Sequence, residues 1–330
     1  MKTFVIAEAG SNHNRNFEQA ISLIDVAKDS GASAVKFQTY SSNTLYAANT
    51  TDIAGTKDVN GLIKSIEIPR EWQRDLKQYC DEVGIEFMST PFDEAAVKEL
   101  VDIGVKRIKI AGFEATDPRF VSMVSETGLP IIMSAGIGSS IKTIDKMINI
   151  CYKNGVKDIT ILHCNNAYPT PQREINLETI VAIRNMFPRI GVGLSDHTTS
   201  TLTPALAVCY GATTIEKHYT LSKKLPGPDH SFALEPHELK EMVDNIIIAE
   251  NSKGVRDDYS KSEVENKKAM RSVVTKKSIK RGEVLTRENI TTKRPLLEDS
   301  IPASEYYRML GKKISVDVTE DALLRKEDVL

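Results

Sequence analysis

Residues 191–236, GVGLSDHTTSTLTPALAVCYGATTIEKHYTLSKKLPGPDHSFALEP, decide the fold and hold three of the six histidines. Two of these, His197 and His218, each follow a short apolar run of β character: 190–194 precedes Ser195-Asp196-His197, and 213–215 precedes Glu216-Lys217-His218. Between them, 202–210 is apolar and of helix length. A strand-helix-strand unit in a parallel sheet brings both strand ends to one edge. Two imidazoles then stand side by side at the carboxyl end of a sheet, where α/β folds place their chemistry. Neutral imidazole is a common ligand for divalent cations, so the pair reads as an open two-histidine metal site. The competing reading is that each ring only hydrogen-bonds a neighbouring loop.

The same grammar extends over most of the chain. Short apolar or β-branched runs at 3–7, 34–37, 86–89, 107–110, 130–134, 159–163, 190–194 and 213–218 alternate with helix-length amphipathic segments such as 17–30, 71–83, 94–102, 141–152, 177–186 and 236–249. That alternation is the mark of a parallel α/β fold. Eight such units in this length predict a (β/α)8 TIM barrel over residues 1–252. A polar, charged run follows, giving a linker at 253–269, and 270–330 changes to short alternating strands with Arg-Gly-Glu and Thr-Glu-Asp turns, a small β-rich domain near the lower size limit for folding alone.

Bulk properties exclude several classes. Lys+Arg of 43 against Asp+Glu of 45 leaves a net charge of -2 without a long block of like charge, which argues against nucleic-acid or membrane-surface partners. The four cysteines are scattered with no C-x-x-C pair, so neither a disulfide framework nor a structural zinc site is expected, and the compartment reads as a reducing cytoplasm. The N-terminal apolar run is broken at Glu8, and no stretch reaches the length of a membrane span.

If the barrel is right, residues at the strand ends form one ring. Strand by strand these are Glu8 with Asn12 and His13; Lys36 and Gln38; Ser89 and Thr90; Lys109 and Glu114; Ser134; Asn165, Asn166 and Tyr168; Ser195, Asp196 and His197; Glu216 and His218. Lysine supplies a point charge, hydroxyls and amides supply donors for phosphate or carboxylate oxygens, and two imidazoles can hold a cation that polarises a carbonyl. Lys36 and Lys109 sit inside apolar runs where desolvation demands a partner, and Glu8 and Glu114 read either as partners of those lysines alone or as functional carboxylates. Ser89, Thr90 and Ser134 have the simpler alternative of capping the following helices. His13 reads as a turn residue, His163 as facing the barrel wall and His237 as exposed. Composition and spacing thus reach a barrel enzyme for an anionic small molecule and a divalent metal, without naming the reaction.

The motifs EAGSNHN, VKFQT, STPFD, KIAGFE, SAGIG, LHCNNAYPTP, GLSDHT, EKHYTL and PGPDHSFALEP, followed by KSIKRGEVLTRENITTKRP, resemble the sialic acid synthase family in order over essentially the whole chain. The resemblance implies condensation of phosphoenolpyruvate with an N-acylated hexosamine, and a C-terminal antifreeze-like (SAF) domain that covers the partner's barrel in a domain-swapped homodimer. It implies His197 and His218 as ligands of Mn2+, with Mg2+ or Co2+ as alternatives. Lys36, Thr90, Lys109, Ser134, Asn166 and Ser195 would hold phosphoenolpyruvate; Gln38, Tyr168, Asp229 and Arg294 would line the sugar pocket; Glu8 and Glu114 would manage protons. The chain departs from the family pattern at Gly112, where a Ser is common, and at Phe113, where a Gly is common. Phe113 is reminiscent of pseudaminate synthases, whereas PGPDH looks like the N-acetylneuraminate and legionaminate branch. N-acetylneuraminate synthesis is the first expectation, legionaminate or pseudaminate synthesis the alternative, and a non-catalytic carbohydrate-binding protein a remote one.

Overall fold

The computed structural model describes residues 2–48, 50, 56–256 and 260–330, which divide into two compact units meeting at 253/254. In the first unit eight parallel strands alternate with helices: β1 (Phe4–Gly10), β2 (Ala34–Thr39), β3 (Glu86–Pro91), β4 (Ile108–Ile110), β5 (Ile131–Ala135), β6 (Ile159–Cys164), β7 (Gly191–Asp196) and β8 (Thr214–His218). Hydrogen bonding gives the order β3-β2-β1-β8-β7-β6-β5-β4, and β3 and β4 lie against each other, so the sheet curls into the expected barrel. The helices are α1 (Phe17–Asp29), α2 (Ser42–Leu45), α3 (Val59–Ile66), α4 (Trp72–Val83), α5 (Glu94–Asp102), α6 (Pro118–Ser125), α7 (Ile141–Lys153), α8 (Glu178–Met186), α9 (Thr203–Cys209) and α10 (Pro236–Ser252).

Strand alternation writes the barrel's two faces. Outward positions such as Val5, Ala7, Val35, Phe37, Ile131, Met133, Ile161, Val192, Leu194 and Ile215 are apolar and join the helices in one continuous core. Inward positions change character along the strands. Ile6, Ala34, Met88, Ile132 and Leu162 form an apolar plug, whereas two residues further on stand Glu8, Lys36, Thr90, Ser134 and Cys164. Gly193 belongs to the plug level, where a Cβ would lie 2.0 Å from the carbonyl oxygen of Thr214; glycine there lets β7 and β8 approach.

Several boundaries differ from expectation. Strands β1 and β7 run on through Gly10 and Asp196, because polar side chains that line a cavity are as compatible with the ladder as apolar ones. Helices α2 and α3 were not expected: α2 is a single turn, and α3 is capped by Asp58, whose side chain accepts from the Gly61 N–H.

The second unit holds an antiparallel pair, β9 (Ser272–Thr275) and β10 (Ile290–Lys293), and a short helix α11 (Tyr306–Met309). Its other pairings among the described residues are isolated bridges, including Val274 with Leu323 and Ile279 with Val318, so of the expected run of short strands two are formed there. Val273, Ile279, Leu285, Ile290, Ile301, Ile314 and Leu324 make its own small core. Residues Lys261–Ala269, within the expected linker, form a 3-10 helix whose Ser260 and Glu263 close a capping box.

Candidate active site

The inward polar layer is a set of buried groups tied to one another by ion pairs and hydrogen bonds, with Glu216 Oε2 and His218 Nδ1 left without a hydrogen-bond partner. Lys36 Nζ lies 2.6 Å from Glu8 Oε2 and donates to Thr90 Oγ1 at 2.9 Å, while Gln38 Nε2 donates to Glu8 Oε1 at 2.7 Å. Lys109 Nζ donates to Ser134 Oγ at 2.8 Å. Glu216 stands between the lysines, 3.7 Å from Lys36 and 3.6 Å from Lys109, and accepts from Ser195 Oγ at 3.0 Å. Burial alone would raise the Glu216 carboxyl, yet Lys109 and Lys36 hold it below the usual range. At Glu8 burial wins over Lys36, and the nearby Glu216 charge adds to it, so its pKa is raised. Burial lowers Lys109. The lysine-hydroxyl pairs are donors ready for an anion, and each hydroxyl is taken by a lysine. The helix caps fall instead to Asp93 for α5 and Ser140 for α7.

His197 and His218 face the same pocket, with ring centroids 5.4 Å apart. His197 Nδ1 sits 2.6 Å from the Asn165 carbonyl, which fixes it as the donor nitrogen and leaves Nε2 with a free lone pair. His218 Nδ1 is buried with no hydrogen-bond partner; Asp229 Oδ2, at 3.9 Å, is too far to bond directly. Burial lowers both pKa values, and His197 lowers His218 further, so both rings are neutral. Neutral rings with one orphaned nitrogen fit a cation held by two imidazoles. Among the described residues no cluster of three or more His, Cys, Asp or Glu is assembled for a metal, so further ligands at such a site come from solvent or substrate. Tyr168 packs on His197 at 4.1 Å between centroids and Phe232 on His218 at 5.3 Å, an aromatic wall that holds both rings.

Two family profiles match: NeuB family over residues 23–258 and SAF domain over 270–330. The chain belongs to the NeuB family. It is 37% identical to the N,N'-diacetyllegionaminic acid synthase of Campylobacter jejuni over 98% of this chain and 99% of that one. It is 33% identical to a pseudaminic acid synthase of the same species over 99% of this chain and 96% of that one. Among solved structures, the N-acetylneuraminic acid (sialic acid) synthetase of Leptospira borgpetersenii in complex with citrate is 32% identical, with TM-score 0.74 over 81% of this chain and 90% of that chain. The NeuB-family chain is therefore an enzyme, a synthase of the transferase class, with a C-terminal SAF domain.

Within this NeuB-family barrel, Glu8, Lys36, Gln38, Thr90, Lys109, Ser134, Asn166, Tyr168, Ser195, His197 and His218 all line one pocket, as does Cys164. Asp229 stands at its edge, where burial pushes its carboxyl up to about 6. Glu114 does not line that pocket. It opens the 3-10 turn Glu114–Thr116, pairs with neither lysine, and keeps Oε2 buried without a partner. Arg294 belongs to the second unit, just after β10. His13 lies in the turn after β1, as expected, and is buried against Trp72 and Phe37, with Nδ1 accepting from the Arg15 N–H. His163 faces outward to the Ile175 carbonyl, and His237 is exposed.

Glu216 is the central carboxylate that sequence reasoning placed in the ring but did not select. Its position two residues before His218 was the signal, since residues i and i+2 of a strand share a face.

Proposed function

We propose that this enzyme condenses phosphoenolpyruvate with an N-acylated hexosamine, N-acetylmannosamine or a close relative, to give a nonulosonic acid and inorganic phosphate. The observation that carries the reading is the pairing of Lys36 with Thr90 and of Lys109 with Ser134 in the pocket that also presents His197 and His218. Two buried ammonium groups with hydroxyl partners suit the phosphate and carboxylate of a compact polyanion. Asn166 adds a donor: its Oδ1 accepts from the Ile137 N–H at 2.7 Å, which turns Nδ2 away from that contact and makes it available to the ligand.

A divalent cation held by His197 and His218 would supply Lewis acidity at the sugar's aldehyde. Imidazole nitrogen donors suit a transition-metal cation better than Mg2+, which prefers an all-oxygen site. The lysines and hydroxyls hold phosphoenolpyruvate so that its C3 meets the aldehyde carbon. Glu8, oriented by Lys36 and Gln38 and made more basic by burial, accepts a proton from the water that adds at C2. Phosphate then leaves by C–O cleavage. The reading includes a homodimer in which Arg294 of the partner subunit reaches the sugar.

A second reading, with a 2,4-diacetamido-trideoxyhexose as the sugar, is favoured by the 37% identity to the Campylobacter N,N'-diacetyllegionaminic acid synthase. Phosphate release from phosphoenolpyruvate, screened with Mn2+ over N-acetylmannosamine, the diacetamido hexoses and their 6-phosphates, distinguishes the two. Release is expected only with metal and a free N-acylated sugar, and neither His197→Ala nor His218→Ala should retain it. Normal turnover in those variants would overturn the metal assignment, and faster reaction with a 6-phosphate would overturn the substrate class.

A further inference from the structure

One charged pair closes the outward faces of β7 and β8, whose other outward positions below it are apolar. On β7 and β8 the outward positions Val192, Leu194 and Ile215 join the core beneath the helices, but the last pair in register is Asp196 and Lys217. Both are buried, at 0% and 1% exposure, with Lys217 Nζ 2.6 Å from Asp196 Oδ2. Each immediately adjoins a site histidine: Asp196 precedes His197, and Lys217 precedes His218. Strand alternation sends the ion pair outward and the imidazoles inward.

The pair is tied to a third residue. Thr198 N donates to Asp196 Oδ1 at 2.9 Å, and Thr198 Oγ1 donates to Asp196 Oδ2 at 3.1 Å. Lys217 Nζ donates to the Thr198 carbonyl and lies 3.3 Å from its hydroxyl. His197 is therefore bracketed on both sides, by Asp196 and Thr198, and both brackets are anchored to the residue that precedes His218. A buried ion pair is weak evidence for stability, since an apolar pair of similar volume often does as well. Its distinctive property is directional: the bonds fix the register of the two strand ends, and with it the spacing of the rings they carry.

We propose that Asp196, Lys217 and Thr198 form a positioning clamp that sets the separation of His197 and His218, and so the affinity for a divalent cation, without touching cation or substrate. The inference rests on the two-histidine metal reading and assigns the residues that pre-organise it. Outer groups that orient metal ligands typically change metal affinity by about 10–100-fold when removed.

The test measures Mn2+ binding to metal-free full-length protein from the electron paramagnetic resonance signal of free Mn2+, and phosphoenolpyruvate binding without metal by calorimetry. The double variant Asp196→Asn/Lys217→Met removes both charges together and leaves neither ion unpaired. It is expected to weaken Mn2+ about 10–100-fold while phosphoenolpyruvate affinity stays within about threefold, because Lys36 and Lys109 face the other side. Thr198→Val, which deletes only the hydroxyl, is expected to weaken Mn2+ several-fold, and Thr198→Ser to restore it; this pair decides the matter if the double variant does not fold. Unchanged Mn2+ affinity in folded variants overturns the clamp. Parallel loss of Mn2+ and phosphoenolpyruvate overturns it too, by showing general loosening. Failure of the wild-type protein to bind Mn2+ overturns the metal reading, and the clamp with it.

Discussion

A Cβ built on Gly136 would lie 1.9 Å from Oδ1 of Asn166, and one on Gly112 would lie 3.1 Å from its Nδ2. The Asn166 amide thus sits in a slot made by two glycines from the loops after β5 and β4. Gly136→Ala should leave the barrel folded, because the obstructing atom ends a side chain that can swing away, but it should expel the amide from its Ile137 bond. Losing a half-buried donor to an ionised ligand costs about 1.5–3 kcal/mol, so kcat/KM for phosphoenolpyruvate is expected to fall at least tenfold with little change in melting temperature. Steady-state kinetics beside a thermal melt check this, and wild-type kinetics would refute the slot.

Glu216 is the counter-ion shared by both lysines. Glu216→Gln leaves Lys36 dependent on Glu8 and deprives Lys109 of its nearest carboxylate. Breaking a buried charge pair typically costs about 3–5 kcal/mol, and a marked drop in melting temperature is expected. An added anion then does the work of the lost carboxylate, so inorganic phosphate should raise the variant's melting temperature by more than it raises that of the wild type. Equal shifts in the two proteins would mean that the lysines do not receive the anion.

Much of this arrangement was legible because it depends on strand period. Lys36, Lys109, His197 and His218 are polar residues at the ends of β-branched runs, and alternation fixes the face on which each lies. What escaped depends on contacts between segments remote in sequence. Asn166 owes its orientation to residues 112 and 136, and nothing local to it reveals that slot. The Ser that the resemblance led one to expect at 112 would crowd the same amide, so the departure at Gly112 is matched to Asn166. Glu114 lies beyond the end of β4, in a 3-10 turn where alternation no longer holds, so strand period says nothing of the direction its side chain takes.

His13 should make stability pH-dependent in a definite direction. Burial, with Arg15 adding to it, lowers its pKa from 6.5 to about 4. Between these values the unfolded chain binds a proton that the folded protein refuses, so stability falls as pH drops from about 6.5 toward 4. At 1.36 kcal/mol per unit the loss from this group is on the order of 2–3 kcal/mol at the acid end. His13→Asn keeps an acceptor for the Arg15 N–H without the titrating ring. Urea midpoints from pH 7 to 4.5 should therefore fall less steeply in the variant, and parallel curves would exclude His13 as the source.

Removal of the second unit separates two roles. The barrel has its own continuous core, and the smaller cluster from Val273 to Leu324 lies wholly within residues 254–330, so a chain ending at Lys253 retains every residue of the inward polar layer. Such a fragment is expected to bind Mn2+ and phosphoenolpyruvate with affinities within about threefold of the full chain, because none of the pocket-lining residues belongs to the second unit. If Arg294 of the partner subunit completes the sugar site, synthesis should nevertheless collapse, with KM for the sugar rising before kcat falls at saturation. Arg294→Lys in the full chain should show the same defect in milder form, since lysine keeps the charge but not the planar fork of donors. A truncated barrel with full synthase activity would confine all the chemistry to the first unit.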